Sequence, residues 1–381
     1  MRYVFSAPGR TEISGNHTDH QHGCVLAAAV NLRTTAAVIP NGTDLIRVRS
    51  EGYAPVVMDL KEADCFAPRQ DEINTTAALI RGTAAAFAGR GAALKGFDAQ
   101  IASTVLPGSG LSSSAAFEVL IGNILNTLFF DGRMNAVEIA RVGQYAENEY
   151  FGKPCGLMDQ SASSVGGMVY IDFNDPAAPV VEKLSFDFAA TGHALCIIDT
   201  GASHADLTDE YAAIPGEIGK ICAHFKKTVL RDIPEEDFYG ELKALRAEAG
   251  DRAVLRAMHV YEENKRVLLQ KQALEEGDFD TFLALTNASG RSSWCLLQNV
   301  VPAGYREHQD VAFTLALAAQ LLGGRGACRV HGGGFAGTIQ AFVPLDILAP
   351  FKAGMEKALG AGMCHELTIR PEGGMLESVT E

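Results

Sequence analysis

Short runs of β-branched and other apolar residues alternate, over about the first 170 positions, with longer stretches in which apolar residues recur every three or four positions. The short runs predict strands, at “TAAVIP”, “LIRVRS”, “FDAQIAST” and “GGMVYIDF”. The longer stretches predict helices, at “NTTAALIRGTAAAFAGR”, “AAFEVLIGNILNTLFF” and “NAVEIARVGQYAENEYFG”. This mixture indicates an α+β fold with mixed sheets.

The pattern changes near “NDPAAPVVEKLSFDFAATG”, where Pro, Ala and Asp interrupt it. A buried strand is predicted at “HALCIIDTG”, followed by helices at “EDFYGELKALRAEAG” and “AVLRAMHVYEENKRVLLQKQALEEG”. Strand and glycine return at “ACRVHGGGFAGTIQAFVP”, before a helix from about Leu345 and a strand at “CHELTIR”. We therefore predict two domains, residues 1–185 and 186–381, a division that the length of 381 residues also favours.

Composition and charge narrow the class of protein. The net charge of −14 argues against a protein that coats nucleic acid or an anionic membrane, but it allows one phosphorylated ligand at a local site. The apolar run “VAFTLALAAQLLGG” is shorter than the roughly 18 residues that span a bilayer, and no signal peptide is readable. The eight cysteines form no C-x-x-C pair, so we expect reduced thiols in a cytoplasmic protein. The sequence indicates no obligate protein partner.

The strongest chemical signal is “LPGSGLSSSAAFEVL”, in which glycines and serines lie between a β-rich segment and a helix. Glycines let the backbone approach a ligand, and the first amides of a helix attract an anion. An ordinary serine-capped helix is the alternative interpretation. The stretch contains no Walker A lysine motif, so a nucleotide site here belongs to another class.

Two further stretches carry candidate groups. In “AENEYFGKPCGLMDQSASSVGG”, Glu147 and Asp159 flank a turn, and such carboxylates can hold Mg²⁺ or accept a proton; a solvated helix charge and a helix cap are the alternatives. In “CRVHGGGFAGTIQAFV”, the glycines predict a strand–loop–strand with close backbone approach, although a hairpin without a ligand has the same pattern.

A polar stretch near the N-terminus, “ISGNHTDHQHG”, could be a metal site, a sugar clamp or a polar turn. His17, His20 and His22 lack the helix-face spacing of zinc ligands, so zinc is disfavoured.

Taken in order, these stretches resemble the GHMP small-molecule kinases and, within them, the galactokinases. “APGRTEISGNHTDHQHGCVLAAAV” is similar to the galactokinase signature, and “LPGSGLSSSAA”, “CGLMDQ” and “HGGGFAGTIQAF” are similar to its phosphate loop, catalytic segment and C-terminal glycine motif. “SHADLTDEY” has the His-to-Tyr spacing of a segment whose tyrosine contacts the sugar. The resemblance implies a two-domain fold with its active site in the cleft between domains, and transfer of the γ-phosphoryl group of Mg·ATP to the anomeric hydroxyl of a sugar.

The resemblance also implies residue roles. Asp159 would be the base, or the group that orients the C1 hydroxyl, and Arg10 would lower its pKa and stabilise charge on the phosphoryl group. Ser114 and Glu147 would lie on the Mg²⁺ side. The phosphate cradle would be Gly108, Ser109, Gly110, Ser112, Ser113 and Ser114. The sugar contacts would be Asn16, His17, Asp19, Gly156 and Tyr211.

The signature is not reproduced in full. Glu12, Ser14, Asn16 and His20 stand where it usually has Asn, Ile, Glu and Tyr. The usual glutamate accepts a hydrogen bond from the sugar 6-hydroxyl, whereas an amide would not repel a C6 carboxylate. Galactose leads as the substrate, and galacturonate, whose plant kinases have a similar pattern, is the alternative. A non-catalytic sensor of sugar and ATP is the alternative from another class, disfavoured because the serine loop and Asp159 are present.

Overall fold

The protein forms two compact units, each built from separate parts of the chain. The computed structural model describes residues 1–105, 110–153, 155–202 and 207–381. The first unit comprises Met1–Thr11, Ala27–Val169 and Ile369–Glu381, and the second comprises Glu12–Leu26 and Tyr170–Thr368. The division therefore differs from the predicted boundary between residues 185 and 186.

This difference arises from two long strands that carry the chain from one unit into the other. β1 (Arg2–Ser14) passes into the second unit after Thr11, and β2 (Cys24–Pro40) returns to the first after Leu26. The composition change near residue 185 lies close to a different crossing, the one between Val169 and Tyr170. It therefore cannot reveal that residues 12–26 belong to the second unit.

Within the described residues the strands form two sheets. The remaining strands are β3 (Leu45–Ser50), β4 (Val56–Asp59), β5 (Phe97–Ser103), β6 (Met168–Asp172), β7 (Val180–Leu184), β8 (His193–Asp199), β9 (Ala327–Val330), β10 (Thr338–Pro344), β11 (Cys364–Leu367) and β12 (Met375–Thr380). One sheet has the order β12-β1-β2-β5-β3-β4, with β6 pairing to β2 and β7, and the other has the order β11-β8-β10-β9. The β3–β5 pairing is parallel while β2–β5 is antiparallel, so the larger sheet is mixed, as predicted.

The described helices fall between these strands. They are α1 (Thr76–Ala88), α2 (Ser113–Phe129), α3 (Ala136–Ala146), α4 (Met158–Val165), α5 (Thr208–His224), α6 (Glu235–Gly240), α7 (Leu242–Ala249), α8 (Asp251–Glu276), α9 (Phe279–Ser292), α10 (Asp310–Leu322) and α11 (Leu348–Leu359). No helix among them is both long enough and apolar enough to cross a membrane.

The core of the first unit fixes the helices that carry its functional residues. Leu79 of α1, Leu120 of α2 and Val142 of α3 are buried in one apolar cluster with Phe5 of β1 and Phe97 of β5. Burial of side chains of this size stabilises the packing by about 1.5–3 kcal/mol each. The N-terminus of α2 is thereby held against the sheet by the body of the helix.

A local signal starts α3, whose C-terminal end leads to Glu147. The side chain of Asn135 accepts a hydrogen bond from the amide of Glu138, and the Glu138 carboxylate accepts one from the amide of Asn135. This capping box satisfies amides that have no partner within the helix. After Ala146 the chain continues as a π-helical turn, Glu147–Phe151.

Two apolar clusters are found among the described residues of the second unit. One packs α10 and α11 on the β8–β11 sheet, with Ile198, Leu315 and Phe351 among its buried members. The other surrounds α5 and the start of α8, with Ile218 and Val260 buried. These clusters support both α5 and the glycine-rich connection between β9 and β10.

The predicted elements are largely present. β3 coincides with “LIRVRS”, and the stretch predicted as one helix near “EDFYGELKALRAEAG” is two helices, α6 and α7, that meet at Glu241. Helices α4, α5, α9 and α10 were not predicted; α5 contains Pro215, which weakens a helical pattern.

Candidate active site

Arg10 and Asp159 form a two-pronged ion pair in the first unit. Nε of Arg10 lies 2.6 Å from Oδ1 of Asp159, and Nη2 lies 2.6 Å from Oδ2. Nη1 of Arg10 also donates to the carbonyl of Gly110. The side chains retain 12% and 25% of their exposure, respectively, so the pair is reachable from solvent. Three donors of one planar guanidinium thus fix both the carboxylate and the end of the serine-rich loop.

The environment of Asp159 favours its ionised form. Burial acts to raise the pKa of this carboxyl, but the charge and hydrogen bonds of Arg10 outweigh burial, and a hydrogen bond from Ser112 adds to them, so the pKa lies below its usual value. Asp159 is therefore a carboxylate at neutral pH.

The serine-rich loop ends at the N-terminus of α2. Ser112 has a left-handed backbone, with φ of 54° and ψ of 72°, and Gly110 has φ of 73°. The amide of Arg10 bonds the Leu111 carbonyl at 2.9 Å, which ties this end of the loop to β1. Ser113 and Ser114 occupy the first turn, where amides lack partners within the helix and attract anions. Gly108 and Ser109 of the predicted cradle lie outside the described residues.

Ser114 and Glu147 lie together beside this N-terminus. Oγ of Ser114 is 3.1 Å from Oε1 of Glu147, and Nζ of Lys153 is 3.4 Å from the same oxygen. Nε2 of Gln160 donates to Oε2 of Glu147 at 2.8 Å and to Oε2 of Glu118 at 3.0 Å. Glu147 is buried, so it is not the solvated helix charge of the alternative interpretation.

A cavity of about 480 Å³ opens next to the same serines. Tyr53, Phe117 and Phe151 contribute aromatic surface to its wall, and Ser113 and Ser114 lie at one side. The cavity lies entirely within the first unit. Its size and mostly apolar wall are those of small-molecule sites.

The histidine-containing stretch lies in the second unit, where β1 ends at Ser14. Buried Glu263 of α8 accepts the amides of Gly15 and Asn16 at 3.3 and 3.4 Å. Burial opposes ionisation of Glu263, but at the acidic pH where this carboxyl titrates the charges of His259, Arg266 and Arg329 outweigh burial and lower its pKa to about 2. Burial lowers the pKa of His259 to about 4, so its neutral ring accepts from Ser292 and donates to the Asn16 carbonyl at 3.0 Å.

The polar atoms of Asn16 and His17 are bonded to protein groups. Nδ2 of Asn16 donates to the Gly332 carbonyl at 2.5 Å and to Glu12 at 3.2 Å. Nδ1 of His17 is 3.2 Å from Nε2 of His20, and its Nε2 is 3.0 Å from the Gly333 carbonyl. No cluster of three or more metal-binding side chains occurs among the described residues.

The other predicted sugar contacts lie on separate elements. Tyr211 of α5 donates its hydroxyl to the Gly334 carbonyl at 2.7 Å, and burial raises its pKa to about 12. Asp19 begins the 3₁₀ turn Asp19–Gln21 and is half-buried. Gly156 is exposed just before α4, in the first unit. Residues 203–206 of the “SHADLTDEY” segment lie outside the described residues.

Comparison with known proteins adds independent information. Residues 78–167 match the family model for the GHMP kinases N terminal domain, and residues 1–40 match the galactokinase galactose-binding signature. A galactokinase from Streptomyces coelicolor is 34% identical over 338 residues, which cover 88% of this chain and 83% of that protein. The chain belongs to the galactokinase family of GHMP kinases.

Other galactokinases extend the likeness over nearly the whole chain. One from Mycobacterium tuberculosis is 33% identical over 360 residues, 91% of this chain and 90% of that protein. The crystal structure of Lactococcus lactis galactokinase complexed with galactose superposes with a TM-score of 0.79 at 25% identity, covering 98% of this chain and 95% of that one. The mixed α/β fold is therefore the GHMP kinase fold, as predicted.

Several residues that contact the predicted groups within each unit were not themselves predicted. Gln160 joins two buried carboxylates in the first unit. In the second unit, Arg329 pairs with Glu12 at 2.5 Å, and Asn299 donates to Asn16 at 2.8 Å. Arg329 lies in a stretch already singled out for its glycines, but nothing in its local sequence indicates a partner near the N-terminus.

Proposed function

We propose that the protein transfers the γ-phosphoryl group of ATP to the anomeric C1 hydroxyl of galactose. The observation that carries this proposal is the two-pronged Arg10–Asp159 pair beside the serine-rich N-terminus of α2, in a chain of the galactokinase family. Phosphoryl transfer depends mainly on positioning and charge neutralisation, and this pair supplies both.

Asp159 orients the attacking hydroxyl. Because its pKa is lowered, it is a carboxylate that accepts a hydrogen bond from the C1 hydroxyl, and it takes the proton only as the new oxygen–phosphorus bond forms. Arg10 holds both carboxylate oxygens and offsets the negative charge of the phosphoryl group.

ATP binding uses two features of the first unit. The phosphates bind at the N-terminus of α2, to the backbone amides of Gly110, Ser112, Ser113 and Ser114 and to the hydroxyls of the three serines. The adjoining cavity, with its three aromatic side chains, accepts the adenosine part.

Ser114 and Glu147 fit a Mg²⁺ ion that accompanies ATP. Their side chains offer a hydroxyl and a carboxylate oxygen 3.1 Å apart, and hard oxygen donors are what Mg²⁺ prefers, with phosphates and water completing the set. Bound there, the ion would neutralise phosphate charge. Gln160 holds the other oxygen of Glu147 and so fixes the direction of the carboxylate.

The sugar side of the proposal rests on Asn16, His17, Asp19, Gly156 and Tyr211, the positions that correspond to the galactokinase signature and its tyrosine segment. Neither alternative, a galacturonate 1-kinase or a non-catalytic sensor, gains support from the three relatives named above, which are galactokinases. We expect the reaction to occur in the cytoplasm, where ATP is available and the described cysteines, all unpaired, stay reduced.

The test is an ADP-release assay with galactose, galacturonate, N-acetylgalactosamine, arabinose and glucuronate, each followed by ³¹P NMR of the product. We expect galactose to give the highest kcat/KM and a phosphate on C1. A higher kcat/KM with galacturonate than with galactose would make galacturonate the substrate. ATP binding without turnover of any sugar would indicate the non-catalytic sensor.

A further inference from the structure

Three successive carbonyls of the glycine loop (Gly332–Gly334) each accept a hydrogen bond from a different side chain. Asn16 donates to the first at 2.5 Å, His17 lies 3.0 Å from the second, and Tyr211 donates to the third at 2.7 Å. All three side chains were predicted to hold sugar hydroxyls. Their donor hydrogens are instead directed at the backbone of the loop.

The direction of the Asn16 amide is set by its neighbours. Its Nδ2 faces the Glu12 carboxylate, which is paired with buried Arg329, and its Oδ1 accepts from Nδ2 of Asn299 at 2.8 Å. A carboxylate on one side and an N–H donor on the other admit one orientation of a carboxamide. The amide must therefore present an N–H to the glycine loop.

The direction of the His17 bond is set by a histidine relay (His17–His20–Gln21). Oε1 of Gln21 accepts the Leu230 amide at 3.0 Å, so its Nε2 is the atom that donates to Nδ1 of His20 at 3.1 Å. Burial lowers the pKa of His20 to about 4, and the neutral ring then carries its proton on Nε2. That proton faces Nδ1 of His17, 3.2 Å away, which leaves Nε2–H of His17 to donate to the Gly333 carbonyl.

The loop fits closely against the same side chains. A Cβ atom added at Gly333 would lie 2.8 Å from Cε1 of Tyr211, and one added at Gly334 would lie 2.2 Å from the Asn299 carbonyl oxygen. The conformation of the loop is thus specified by hydrogen bonds on its carbonyls and by contact at its α-carbons.

We propose that Asn16, the histidine relay and Tyr211 are positioning groups that hold the glycine loop in the conformation required for sugar binding. Asn16 then acts on sugar affinity through the loop rather than by a contact at C6. The inference rests on the proposed sugar-kinase function, but the state of the loop can be measured without turnover.

Gln21→Glu separates this role from direct contact, because Gln21 is buried and its side chain bonds His20, the Leu230 amide and Sγ of Cys222. The variant keeps an oxygen for the Leu230 amide but loses the donor to His20. The proton of His20 then moves to Nδ1, the relay reverses, and His17 turns a lone pair toward the Gly333 carbonyl.

Hydrogen–deuterium exchange of the peptide 331–337 is measured in the sugar-free protein, together with kcat and both KM values. We expect exchange to accelerate about threefold or more and the sugar KM to rise about tenfold, while kcat and the ATP KM stay within about twofold. Gln100→Glu, at an exposed position of β5, is the matched control and should change none of these.

Tyr211→Phe, which removes the hydroxyl that donates to the Gly334 carbonyl, is the second variant, and it decides the matter if Gln21→Glu fails to fold. Faster exchange at 331–337 in this variant supports the proposal. Unchanged exchange in every folded variant overturns it, even if the sugar KM rises, because the side chains would then act on the sugar directly. Absence of sugar-dependent ADP release in the wild type would refute the proposed function and leave the exchange comparison valid.

Discussion

Glu118 and Glu147 share a single hydrogen-bond donor: Nε2 of Gln160 lies 3.0 Å from Oε2 of Glu118 and 2.8 Å from Oε2 of Glu147. Both carboxyl groups are buried. Burial, and then the charge of Glu147, raise the pKa of Glu118 well above its usual value. The raised pKa favours the neutral form of Glu118, which lies beside Glu147, the residue proposed to face Mg²⁺.

Glu118→Gln should make the protein's stability less dependent on pH. A carboxyl whose pKa is raised by folding stabilises the folded state fully below its unfolded pKa of about 4.3, and that stabilisation is lost as the pH rises toward the folded value. The wild type should lose up to about 1.4 kcal/mol of unfolding free energy per pH unit in that window, and the variant should not. Urea unfolding from pH 5 to 8 measures this.

The control for this experiment is Glu241→Gln, at an exposed position between α6 and α7. It should keep the wild-type slope of unfolding free energy against pH. If Glu118→Gln also keeps that slope, Glu118 is not held neutral in the folded state.

Asp159→Asn should abolish most catalysis while sparing ATP binding. The amide cannot accept the proton of the C1 hydroxyl, and it leaves Arg10 without its charged partner. Loss of a group of this kind costs about 10²–10⁴-fold in kcat, and the ATP dissociation constant should change less than about threefold. Stopped-flow turnover and calorimetric titration with ATP measure the two quantities.

Asp172→Asn is the matched control for Asp159→Asn. Asp172 also pairs with an arginine, Arg231, at 3.1 Å, but it lies in the second unit and has no role in the proposed reaction. Its kcat should remain within about twofold of the wild type. Retained turnover in Asp159→Asn would remove the role assigned to that carboxylate.

Tyr53→Ala should weaken ATP binding without affecting the sugar. Tyr53 lines the cavity beside Ser113 and Ser114 and is 57% exposed, so the truncation costs little folding energy. An aromatic ring stacked on a base contributes about 1–3 kcal/mol, which corresponds to a rise in the ATP KM of about tenfold. Tyr305→Ala, at a tyrosine 49% exposed elsewhere, is the control, and equal ATP KM values in the two variants would place the adenosine elsewhere.

Features with a local cause were predictable from the sequence. β3 follows from an apolar alternation, and the N-terminus of α2 follows from glycines and serines that precede an apolar repeat. The Arg10–Asp159 pair was predicted only through the family resemblance, because 149 positions separate the two residues and neither has a local signal.

The surroundings of the sugar motif could not be predicted. Glu12 and Asn16 were recognised as departures from the signature, but Arg329, which neutralises Glu12, lies 317 positions away. Buried Glu263 lies on α8, whose sequence is that of an ordinary charged helix. Such residues are identified by the folded contacts alone. A prediction of sugar specificity from Asn16 by itself therefore omitted the buried residues that surround the motif.

Alanine substitutions along the glycine loop should destabilise the protein unequally. At Gly332 φ is 66° and a Cβ atom meets nothing within 4 Å, so the cost is the left-handed backbone alone, about 1–2 kcal/mol. At Gly333 the Cβ atom lies 2.8 Å from Tyr211. This close contact should destabilise the protein by about 1–3 kcal/mol through overpacking. At Gly334 φ is 80° and the Cβ atom lies 2.2 Å from the Asn299 carbonyl, so both costs apply and this variant should be the least stable.

Urea unfolding of the three variants measures this order, and a double variant tests its cause. Tyr211→Ala removes the atom that Gly333→Ala would contact, so the two changes together should be less destabilising than their sum by about 1 kcal/mol. Tyr211→Ala combined with Gly332→Ala should be additive, because that Cβ atom contacts nothing within 4 Å. Additivity in both pairs, or a Gly334→Ala variant as stable as Gly332→Ala, would contradict the described packing of the loop.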